Sequence, residues 1–413
     1  MAEDKTSLTI GQNLLSFQAS LRQAGMSLEE YLKQSYFNKW LSDEILAALR
    51  IRTTLVVKAH EFLAQEGLVN IDRISFSLIT DPLAHDVEHV PTINYKGQTY
   101  VTTHSMIYHK FMACHNKGLK GIFVDSPNIR LEIEAPFGGQ RGKYLADFSQ
   151  IDIEIKRNRG IGLDEYLNKP EYVKEVLATD MDKALNFFER LLIYVLKAIA
   201  LQNKAELDLL GVEIDVPSSP FPRFYLDYGK KKYQCKNVEA NLGEETKSQV
   251  FWIIGLLREN YDLIYPYLKK DGKVPLSSVT SEMIYNYDLC VKSLPSTEKG
   301  KMTTALEVLS GAIREWLFEP IVERLIDNKI LSTRPIFKDG NIENIDELGS
   351  YGPFLTVVAS KDENGQPLFP DTLGGGLGIE RMLYAMLRGN KIKKIDDITL
   401  FGKNPDSAPL FLF

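Results

Sequence analysis

The chain of 413 residues is 44% hydrophobic and 25% charged, and its formal net charge is −6. This composition is typical of a globular protein with a large core, and it excludes a disordered, collagenous or disulfide-stapled chain. The mild acidity argues against a general nucleic-acid binder but leaves room for a local basic groove. Three well-separated cysteines, a polar N-terminus and the lack of long apolar runs favour a cytoplasmic protein with reduced thiols and no membrane span.

The first half of the sequence is predicted to run from helices into strands. Residues 1–66 are predicted to be helical, most clearly at 43–65, where apolar residues recur at helical spacing and Ser42 can cap the start. Residues 68–103 are predicted to be extended, with a hairpin at 95–101. The next predictions, in chain order, are a helix at 104–118, strands at 121–124 and 129–133, a glycine-rich loop at 136–142 and a strand at 146–156.

The second half is predicted to hold a helical block followed by more strands. Residues 163–275 are predicted to be mostly helical, with amphipathic stretches at 181–201 and 247–268. The next predictions, in chain order, are strands at 283–291 and 303–309, a helix from Pro320, an extended segment at 354–360 and a glycine-rich segment at 374–387 that becomes helical at Leu377. Because βαβ alternation is lacking, this order favours an α+β fold with one mostly antiparallel sheet over a Rossmann or TIM-barrel fold.

Two of the predicted strands carry charged and polar side chains along one whole face. In the strand at 146–156, three isoleucines alternate with the residues of the other face, which are the aromatic Phe148 and the polar Gln150, Asp152 and Glu154. In the strand at 129–133, Arg130 and Glu132 alternate with apolar residues in the same way. The pattern fits either an ordinary solvated sheet face or a binding surface.

The glycine-rich segment and two carboxylates add candidate ligand-binding groups. Gly376 and Gly378 would let a ligand approach the backbone at a helix N-terminus, where anions are favoured, and Arg381 lies in the first turn of that helix. Asp288 and Glu307 lie in apolar strand contexts, where an unpaired charge is costly. Each therefore requires a cation, which is either Mg²⁺ with nucleotide phosphates or a neighbouring lysine or arginine.

Together these segments resemble the catalytic domain of class II aminoacyl-tRNA synthetases of the aspartyl, asparaginyl and lysyl group. Ile129-Arg-Leu-Glu resembles the start of the second motif of that class, and Phe148-Ser-Gln-Ile-Asp-Ile-Glu resembles its closing strand. Tyr287-Asp-Leu and Leu306-Glu-Val-Leu-Ser-Gly-Ala-Ile-Arg resemble the metal and substrate segments, and Gly376-Leu-Gly-Ile-Glu-Arg resembles the third motif. The resemblance implies a class II synthetase-type α+β fold, a mostly antiparallel sheet flanked by helices.

The resemblance also implies a division of the chain into two parts. The catalytic domain would comprise residues 1–160, including the N-terminal helices at 1–66, and residues 280–413. Residues 161–279 would be a large helical insertion, which matches none of the motifs. A homodimer is expected from the same resemblance.

The resemblance further implies an ATP site and a site for a dicarboxylic amino acid. The implied ATP contacts are Arg130 on the α-phosphate, Glu132 on the adenine amino group, Phe148 on the purine ring, Arg381 on the γ-phosphate and the other adenine face, Arg141 or Lys143 on the γ-phosphate, and Gly376 and Gly378 beside them. Arg130 and Arg381 would be catalytic, and Asp288 and Glu307 would bind Mg²⁺. The implied amino-acid contacts are Gln150 and Asp152 in the pocket, Arg314 on a side-chain carboxylate, and Ser310.

The helix predicted from residue 104 points to one member of this superfamily. Thr103-His-Ser-Met-Ile-Tyr-His-Lys has the His-Ser start, and the lysine five residues after the serine, of ammonia-dependent asparagine synthetase. The resemblance therefore adds His104, Ser105 and Lys110 to the substrate-binding residues. That enzyme also lacks the OB-fold barrel that reads the anticodon, and the residues before the helix at 43–65 show no five-strand pattern of that kind.

Two functions follow from these comparisons of motifs. The main hypothesis is ATP-dependent activation of aspartate, or of a similar dicarboxylic amino acid, as an acyl-adenylate, followed by amide formation with ammonia or an amine. The alternative is an aspartyl- or asparaginyl-tRNA synthetase or a paralogue of one, with tRNA as a partner. Both are AMP-forming ligases that act on small molecules with ATP and Mg²⁺, and the sequence leaves the acyl acceptor open.

Overall fold

The computed structural model describes residues 5–81, 91–131, 144–157, 161–226, 238–258, 261–292, 305–365, 367–389 and 391–404. Its α-helices, in chain order, are α1 (Lys5–Gln23), α2 (Leu28–Leu32), α3 (Asn38–Trp40), α4 (Asp43–Gln65), α5 (Ile107–Ala113), α6 (Leu163–Asn168), α7 (Pro170–Gln202), α8 (Lys204–Leu210), α9 (Val238–Glu245), α10 (Phe318–Asp327), α11 (Gly352–Ala359) and α12 (Ile379–Leu387). Within the described ranges, no helix is long and apolar enough to cross a lipid bilayer.

Within these described ranges, the strands form one large sheet and three small ones. In chain order they are β1 (Val69–Asn70), β2 (Phe76–Ser77), β3 (Thr92–Tyr95), β4 (Gln98–Thr102), β5 (Gly121–Ile129), β6 (Asp147–Lys156), β7 (Arg223–Tyr225), β8 (Val250–Ile254), β9 (Leu268–Lys269), β10 (Gly272–Lys273), β11 (Asn286–Val291), β12 (Leu306–Ile313), β13 (Phe337–Lys338), β14 (Asn341–Ile342) and β15 (Thr372–Gly378). The large sheet has the order β1-β5-β6-β15-β12-β11-β8-β7.

The large sheet confirms the predicted fold class. Its neighbouring strands run antiparallel except for the pairs at the two edges, β1 with β5 and β7 with β8, which are parallel. The chain order of the strands is not their order in space, because β15, the last strand in the chain, lies between β6 and β12. β15 therefore connects β6, from the first half of the chain, with β12, from the second half. This position places the glycine-rich segment near the centre of the sheet.

Two long helices, α4 and α7, cover the apolar face of the sheet. The start of α4 is fixed as predicted, since the Ser42 side chain accepts hydrogen bonds from the backbone N–H groups of Glu44 and Ile45. The apolar stripe of α4 is fully buried at Ile51 and Leu55. Phe62 of this helix packs edge-on against Phe187 of α7, with the ring centroids 5.6 Å apart. The helices therefore bury one face of the sheet and leave the opposite face for the polar side chains.

The helix predicted at 247–268 is wrong. Residues 250–254 instead form β8, a strand of the large sheet in which all five residues are buried. A strand buried on both faces has no polar alternation, so its apolar run can be confused with part of a helix. The segment 161–279, predicted as a helical insertion, thus contributes β7 and β8 to the main sheet as well as α7 to its core.

A buried ion-pair cluster also fastens this segment to the sheet. Arg157, directly after β6, donates to Asp180 of α7 at 2.8 Å and to Asp371, directly before β15, at 2.6 Å. Its guanidinium lies 5.2 Å from the ring centroid of Trp316. Because all three charges are buried, breaking this cluster would leave an uncompensated charge in the interior.

Three further boundaries differ from the predictions. The strands predicted at 121–124 and 129–133 begin as one continuous strand, β5, while residues 132–133 lie outside the described residues. Residues 354–360, predicted to be extended, lie mainly in α11, whose first turn contains Pro353 in a position that suits proline. The helix predicted from Leu377 begins at Ile379, because the glycines before it belong to β15.

Candidate active site

The register of the large sheet places four predicted site residues in one row. Asp152 on β6 is paired with Gly376 on β15, Gly376 is paired with Ser310 on β12, and Ser310 is paired with Asp288 on β11. Directly paired residues project to the same face of a sheet. The row therefore presents two carboxylates and a hydroxyl with a gap between them at Gly376.

The gap at Gly376 is a requirement of the packing. A Cβ atom added there would lie 2.7 Å from Oδ1 of Asp152 and 3.4 Å from the amide of Gln150. The adjacent row repeats the pattern, because Glu154 is paired with Gly374, and Gly374 with Ala312. Small residues on β15 and β12 thus form an open floor between the polar side chains of β6 and β11.

Helix α5 covers the β6 side of this floor with a buried lysine. The Lys110 side chain is 2% exposed, and its Nζ donates to Oδ1 of Asp152 at 3.1 Å. The same Nζ lies 3.7 Å from Oε2 of Glu154. The reading of the polar face as an ordinary solvated surface is therefore wrong for Asp152 and Glu154, since both carboxylates are buried beneath a helix.

Arg314, directly after β12, continues the line of charges. Its Nε donates to Oε1 of Glu154 at 3.3 Å, and its Nη1 donates to Oδ1 of Asp262 at 3.3 Å. The guanidinium lies 5.8 Å from the ring centroid of Phe111 and 5.4 Å from that of Tyr261. Two carboxylates and two aromatic rings hold this arginine in a fixed place and orientation.

Arg258 completes the line on the β11 side. Its Nε lies 3.0 Å from Oδ2 of Asp262, and its Nη1 lies 3.0 Å from Oδ1 of Asp288. Nη1 also donates to the Ser310 hydroxyl, and Nη2 donates to the carbonyl oxygen of Gly311 at 3.1 Å. The Arg258 side chain is 30% exposed, so it is the most accessible cation of the line.

These contacts form an unbroken network of alternating charge, which we call the charge network. Its members, in order of contact, are Asp152, Lys110, Glu154, Arg314, Asp262, Arg258 and Asp288. It has one more carboxylate than cations. Oδ2 of Asp152, at one end, is buried and lacks a hydrogen-bond partner among the described residues. A buried carboxylate oxygen without a donor is costly, so this end of the network is suited to a cationic group of a ligand.

Four further predicted residues take part in two arginine–aromatic arrangements, one of which also includes Tyr144, to which the sequence assigned no role. Nε of Arg130 donates to the carbonyl oxygen of His104 at 3.1 Å, and its guanidinium lies 5.1 Å from the ring centroid of Phe148. Nη1 of Arg381 donates to Oε2 of Glu307 at 2.5 Å, and its guanidinium lies 5.2 Å from the ring of Tyr144. We call these five residues, Arg130, Phe148, Arg381, Glu307 and Tyr144, the arginine–aromatic group. A flat aromatic base and phosphates are the ligands that such a combination binds.

Burial perturbs the titration of two predicted site residues. Burial raises the pKa of Asp288 to about 7, against the opposing effect of Arg258. Burial, and next the positive charge of Arg130, lower the pKa of His104. The His104 ring is therefore neutral at neutral pH, and its Nε2 atom is buried without a hydrogen-bond partner in the described structure.

The remaining predicted residues fall into three groups. Gln150 accepts a hydrogen bond from Asn128 at 3.1 Å, and Ser105 is buried two residues before the start of α5. Gly376 is a residue of β15 and does not lie at the helix N-terminus as predicted, whereas Gly378 is both the last residue of β15 and the N-cap of α12. Glu132, Arg141 and Lys143 lie outside the described residues.

Sequence reasoning missed two members of the charge network and gave a third no role. Arg258 and Asp262 were missed because they fall in the segment that was wrongly predicted as a helix, where a spacing of four residues is typical of an exposed ion pair. Glu154 was placed correctly on the polar face but assigned nothing. The signal for it was its position two residues after Asp152, which puts both carboxylates on one strand face.

As placed, Asp288 and Glu307 do not fit a magnesium site with two carboxylate ligands. Asp288 is paired with Arg258, and Glu307 is paired with Arg381. Among the described residues, no group of three or more side chains of metal-binding type comes together. The arginine partner that the sequence left open as an alternative to Mg²⁺ is therefore what both carboxylates have here.

Comparisons with known proteins agree with this architecture. No family model matches the chain. The aspartate–tRNA(Asp) ligase of Pyrococcus furiosus is 22% identical over 362 residues, which is 85% of this chain and 67% of that protein. The aspartate–tRNA(Asp/Asn) ligase of Archaeoglobus fulgidus is 21% identical over 87% of this chain and 68% of its own length.

Solved structures give the same result. The asparaginyl-tRNA synthetase of Pyrococcus horikoshii complexed with asparaginyl-adenylate superimposes with a TM-score of 0.58 at 17% identity, over 88% of this chain and 70% of that one. The chain has the class II aminoacyl-tRNA synthetase-like fold. The asparaginyl-tRNA synthetase of Entamoeba histolytica matches equally well, with a TM-score of 0.58 at 14% identity, over 88% of this chain and 68% of that one.

The comparisons also rank the two functions predicted for this class II synthetase-like chain. The prediction of an AMP-forming ligase is confirmed at the level of enzyme class, because the curated relatives are aspartate–tRNA ligases. The comparison with ammonia-dependent asparagine synthetase is not supported, and the synthetase alternative is the better supported of the two. The homodimer, the cytoplasmic location and the magnesium requirement stay predictions.

Proposed function

We propose that this chain activates aspartate with ATP to form aspartyl-adenylate and is an enzyme of the aspartate–tRNA ligase type. The observation that carries the proposal is the position of two buried cations, Lys110 and Arg314, beside the open floor at Gly376. Both cations are held on carboxylates of the protein, so their donors are fixed in place before any substrate arrives. Preorganised cations of this kind favour a substrate with a carboxylate side chain.

Aspartate carries charges that match the two sides of this floor. Its ammonium group is the cation that the buried Oδ2 atom of Asp152 lacks, and its side-chain carboxylate suits Lys110 and Arg314. Asparagine has a neutral amide in place of that carboxylate and would lose a charge-assisted hydrogen bond of about 1.5–3 kcal/mol. We therefore expect at least about tenfold selectivity for aspartate over asparagine.

The arginine–aromatic group supplies the ATP half of the proposed reaction. An oxygen of the aspartate α-carboxylate attacks the α-phosphorus of ATP, and the bond from that phosphorus to pyrophosphate breaks. The reaction brings two anions together, and the guanidinium groups of Arg130 and Arg381 reduce that repulsion and stabilise the developing charge. Phe148 offers its ring to the adenine base. No step is assigned to a metal ion, because the two predicted metal ligands are each paired with an arginine.

The acyl acceptor is proposed from the relatives, which are named as ligases of aspartate to tRNA. In such a reaction a tRNA hydroxyl attacks the carbonyl carbon of the adenylate, and AMP leaves. The main hypothesis from the sequence, amide formation with ammonia, also begins with an adenylate, but on the side-chain carboxylate of aspartate instead of the α-carboxylate. ATP–pyrophosphate exchange does not distinguish the two carboxylates, so the product of the second step separates the two functions.

ATP–pyrophosphate exchange with aspartate, asparagine and lysine tests the first step. We expect exchange with aspartate at least about tenfold faster than with asparagine, and none with lysine. Exchange that is fastest with asparagine or lysine would contradict the assignment of the pocket. For the second step, purified enzyme with ATP and aspartate is supplied with either tRNA or ammonium chloride. Stable aspartyl-tRNA is the expected product, whereas asparagine formed from ammonia in the absence of tRNA would restore the amide-ligase hypothesis.

A further inference from the structure

Arg258 occupies the side of the site where the sequence predicts a metal ion. Three of its nitrogens contact Asp262, Asp288, the Ser310 hydroxyl and the Gly311 carbonyl oxygen, so the guanidinium is surrounded by acceptors. Its own carbonyl oxygen accepts a hydrogen bond of 3.5 Å from Arg324. Both the side chain and the backbone of Arg258 are therefore held by contacts, as expected of a residue with a defined place in the site.

The charge count explains why a cation must be present beside Asp288. Without Arg258, Asp262 would keep one cationic partner, Arg314, and Asp288 would have none among the ion pairs of the described residues. Asp288 is also close enough to Glu307 for the two carboxylates to repel each other. A buried carboxylate in this position has to bind a cation or remain protonated.

We propose that Arg258 is a built-in counter-ion that replaces a metal ion at Asp288 and keeps that carboxylate from acting as a metal ligand. Arg258 then holds Asp288 and the Ser310 hydroxyl together at the rim of the open floor. Any divalent cation that enters with a nucleotide is left with Glu307 from this pair, because the contact of Glu307 with Arg381 is partly exposed and can be exchanged. Arg258 is a positioning residue, since it acts through Asp288 and Ser310.

This inference rests on the proposed function for the location of the site, but its first test needs neither substrate nor turnover. MnCl₂ is titrated into the nucleotide-free full-length chain, and free Mn²⁺ is measured by electron paramagnetic resonance. Replacing Arg258 by glutamine removes the positive charge and exposes Asp288 as a ligand. We expect Arg258→Gln to bind Mn²⁺ at least about tenfold more tightly than the parent does.

Two further variants control for charge and for position. Arg258→Lys retains a positive charge near Asp288, and we expect its Mn²⁺ binding to match that of the parent. The double variant Arg258→Gln with Asp288→Asn removes the newly available ligand, and we expect it to lose the gain. Mn²⁺ binding by Arg258→Gln that equals the parent's, or a gain that persists in the double variant, would overturn the proposal.

A second measurement serves if Arg258→Gln does not fold. The Mg²⁺ concentration that gives half-maximal ATP–pyrophosphate exchange is compared for Asp288→Asn and Glu307→Gln. We expect Glu307→Gln to raise this concentration at least about fivefold and Asp288→Asn to change it by less than about twofold, whatever each does to the maximal rate. Equal increases in both variants would show that Asp288 is a metal ligand. Loss of exchange with every amino acid in the parent would instead contradict the proposed function, and the Mn²⁺ titration would still decide the role of Arg258.

Discussion

The charge network and the arginine–aromatic group hold their cations in different ways. In the charge network, Lys110 and Arg314 have side chains that are 2% and 5% exposed, and each contacts two carboxylates. In the arginine–aromatic group, Arg381 is 26% exposed and pairs with Glu307, which is 24% exposed. Arg130 donates to a backbone carbonyl and lies over a ring. Lys110 and Arg314 are fixed by buried ion pairs, whereas Arg381, like Arg258 within the charge network, is partly open to solvent.

This difference indicates a division of labour within the site. Buried charges on strands are fixed before a ligand binds, because moving them would leave carboxylates uncompensated in a medium of low dielectric constant. Partly exposed arginines on protein acceptors can exchange those acceptors for phosphates at a small cost. Substitutions in the charge network should therefore impair stability and amino-acid selectivity together, and substitutions in the arginine–aromatic group should impair turnover alone.

The largest effect is expected for Arg314→Leu. Removing this guanidinium leaves Glu154 and Asp262 without one of their cations, which should lower the free energy of unfolding by about 3–5 kcal/mol. The variant should also lose most aspartate binding and its selectivity over asparagine. Urea denaturation and ATP–pyrophosphate exchange measure the two effects. A matched control is Arg50→Leu. The Arg50 side chain is 61% exposed and pairs with Glu206, so its loss should change the free energy of unfolding by less than about 1 kcal/mol. Selectivity that survives in Arg314→Leu would contradict the assigned role.

Arg381→Ala should have the second largest effect, and it should act on catalysis. Loss of a charge contact to the transition state lowers turnover by about 10²-fold or more. Because the Arg381–Glu307 pair is partly exposed, the free energy of unfolding should change by less than about 1 kcal/mol. Steady-state kinetics should show the loss in kcat, with little change in the KM for aspartate. Near-normal turnover would show that Arg381 does not act in the site. A large loss of stability would contradict the difference between the charge network and the arginine–aromatic group.

The two sides also differ in how well the sequence predicted them. The alternation in 146–156 predicted the polar face of β6, and the resemblance then assigned Gln150, Asp152, Lys110 and Arg314 to one pocket. The structure brings Lys110 and Asp152 into contact and links Arg314 to them through Glu154. The local pattern was sufficient for Gln150 and Asp152, which lie on a strand with clear periodicity, whereas Lys110 and Arg314 came from the resemblance alone.

Arg258 and the position of β15 could not be predicted in this way. The register that sets Gly376 opposite both Asp152 and Ser310 depends on the insertion of the last strand between β6 and β12, which no local pattern encodes. Arg258 reaches Asp288 from a loop after β8, and β8 itself was mistaken for a helix. The arginine partners of Asp288 and Glu307 therefore come from pairings that are distant in the sequence.

Gly376→Ala should have a moderate effect that is confined to the amino-acid side. The added methyl group would lie 2.7 Å from Oδ1 of Asp152, so either this carboxylate or the strand must shift. We expect the KM for aspartate to rise about tenfold or more, since a shift of this size disturbs a preorganised contact. The matched control is Gly378→Ala, where the nearest side-chain atom would be 3.6 Å away and packing is ordinary. An unchanged aspartate KM in Gly376→Ala would mean that the floor is not the substrate site.

The smallest effect concerns pH and comes from Glu315, the residue after Arg314. Burial raises the pKa of its carboxyl group to about 7 from an ordinary value of 4.5, against the opposing charge of Arg324. Between these two pH values, the folded protein keeps a proton that the unfolded chain has released. The free energy of unfolding contributed by this group is therefore greatest below about pH 4.5 and falls by about 1–3 kcal/mol as the pH rises to about 7.

The variant Glu315→Gln cannot ionise at this position. Urea denaturation at a series of pH values should therefore show a shallower decline in its free energy of unfolding. Asp288, whose pKa is raised in the same direction, should leave part of the slope in place. If Glu315→Gln loses stability with pH as steeply as the parent does, Glu315 is ionised in the folded protein. The buried region beside Arg314 would then carry one negative charge in addition to those of the charge network.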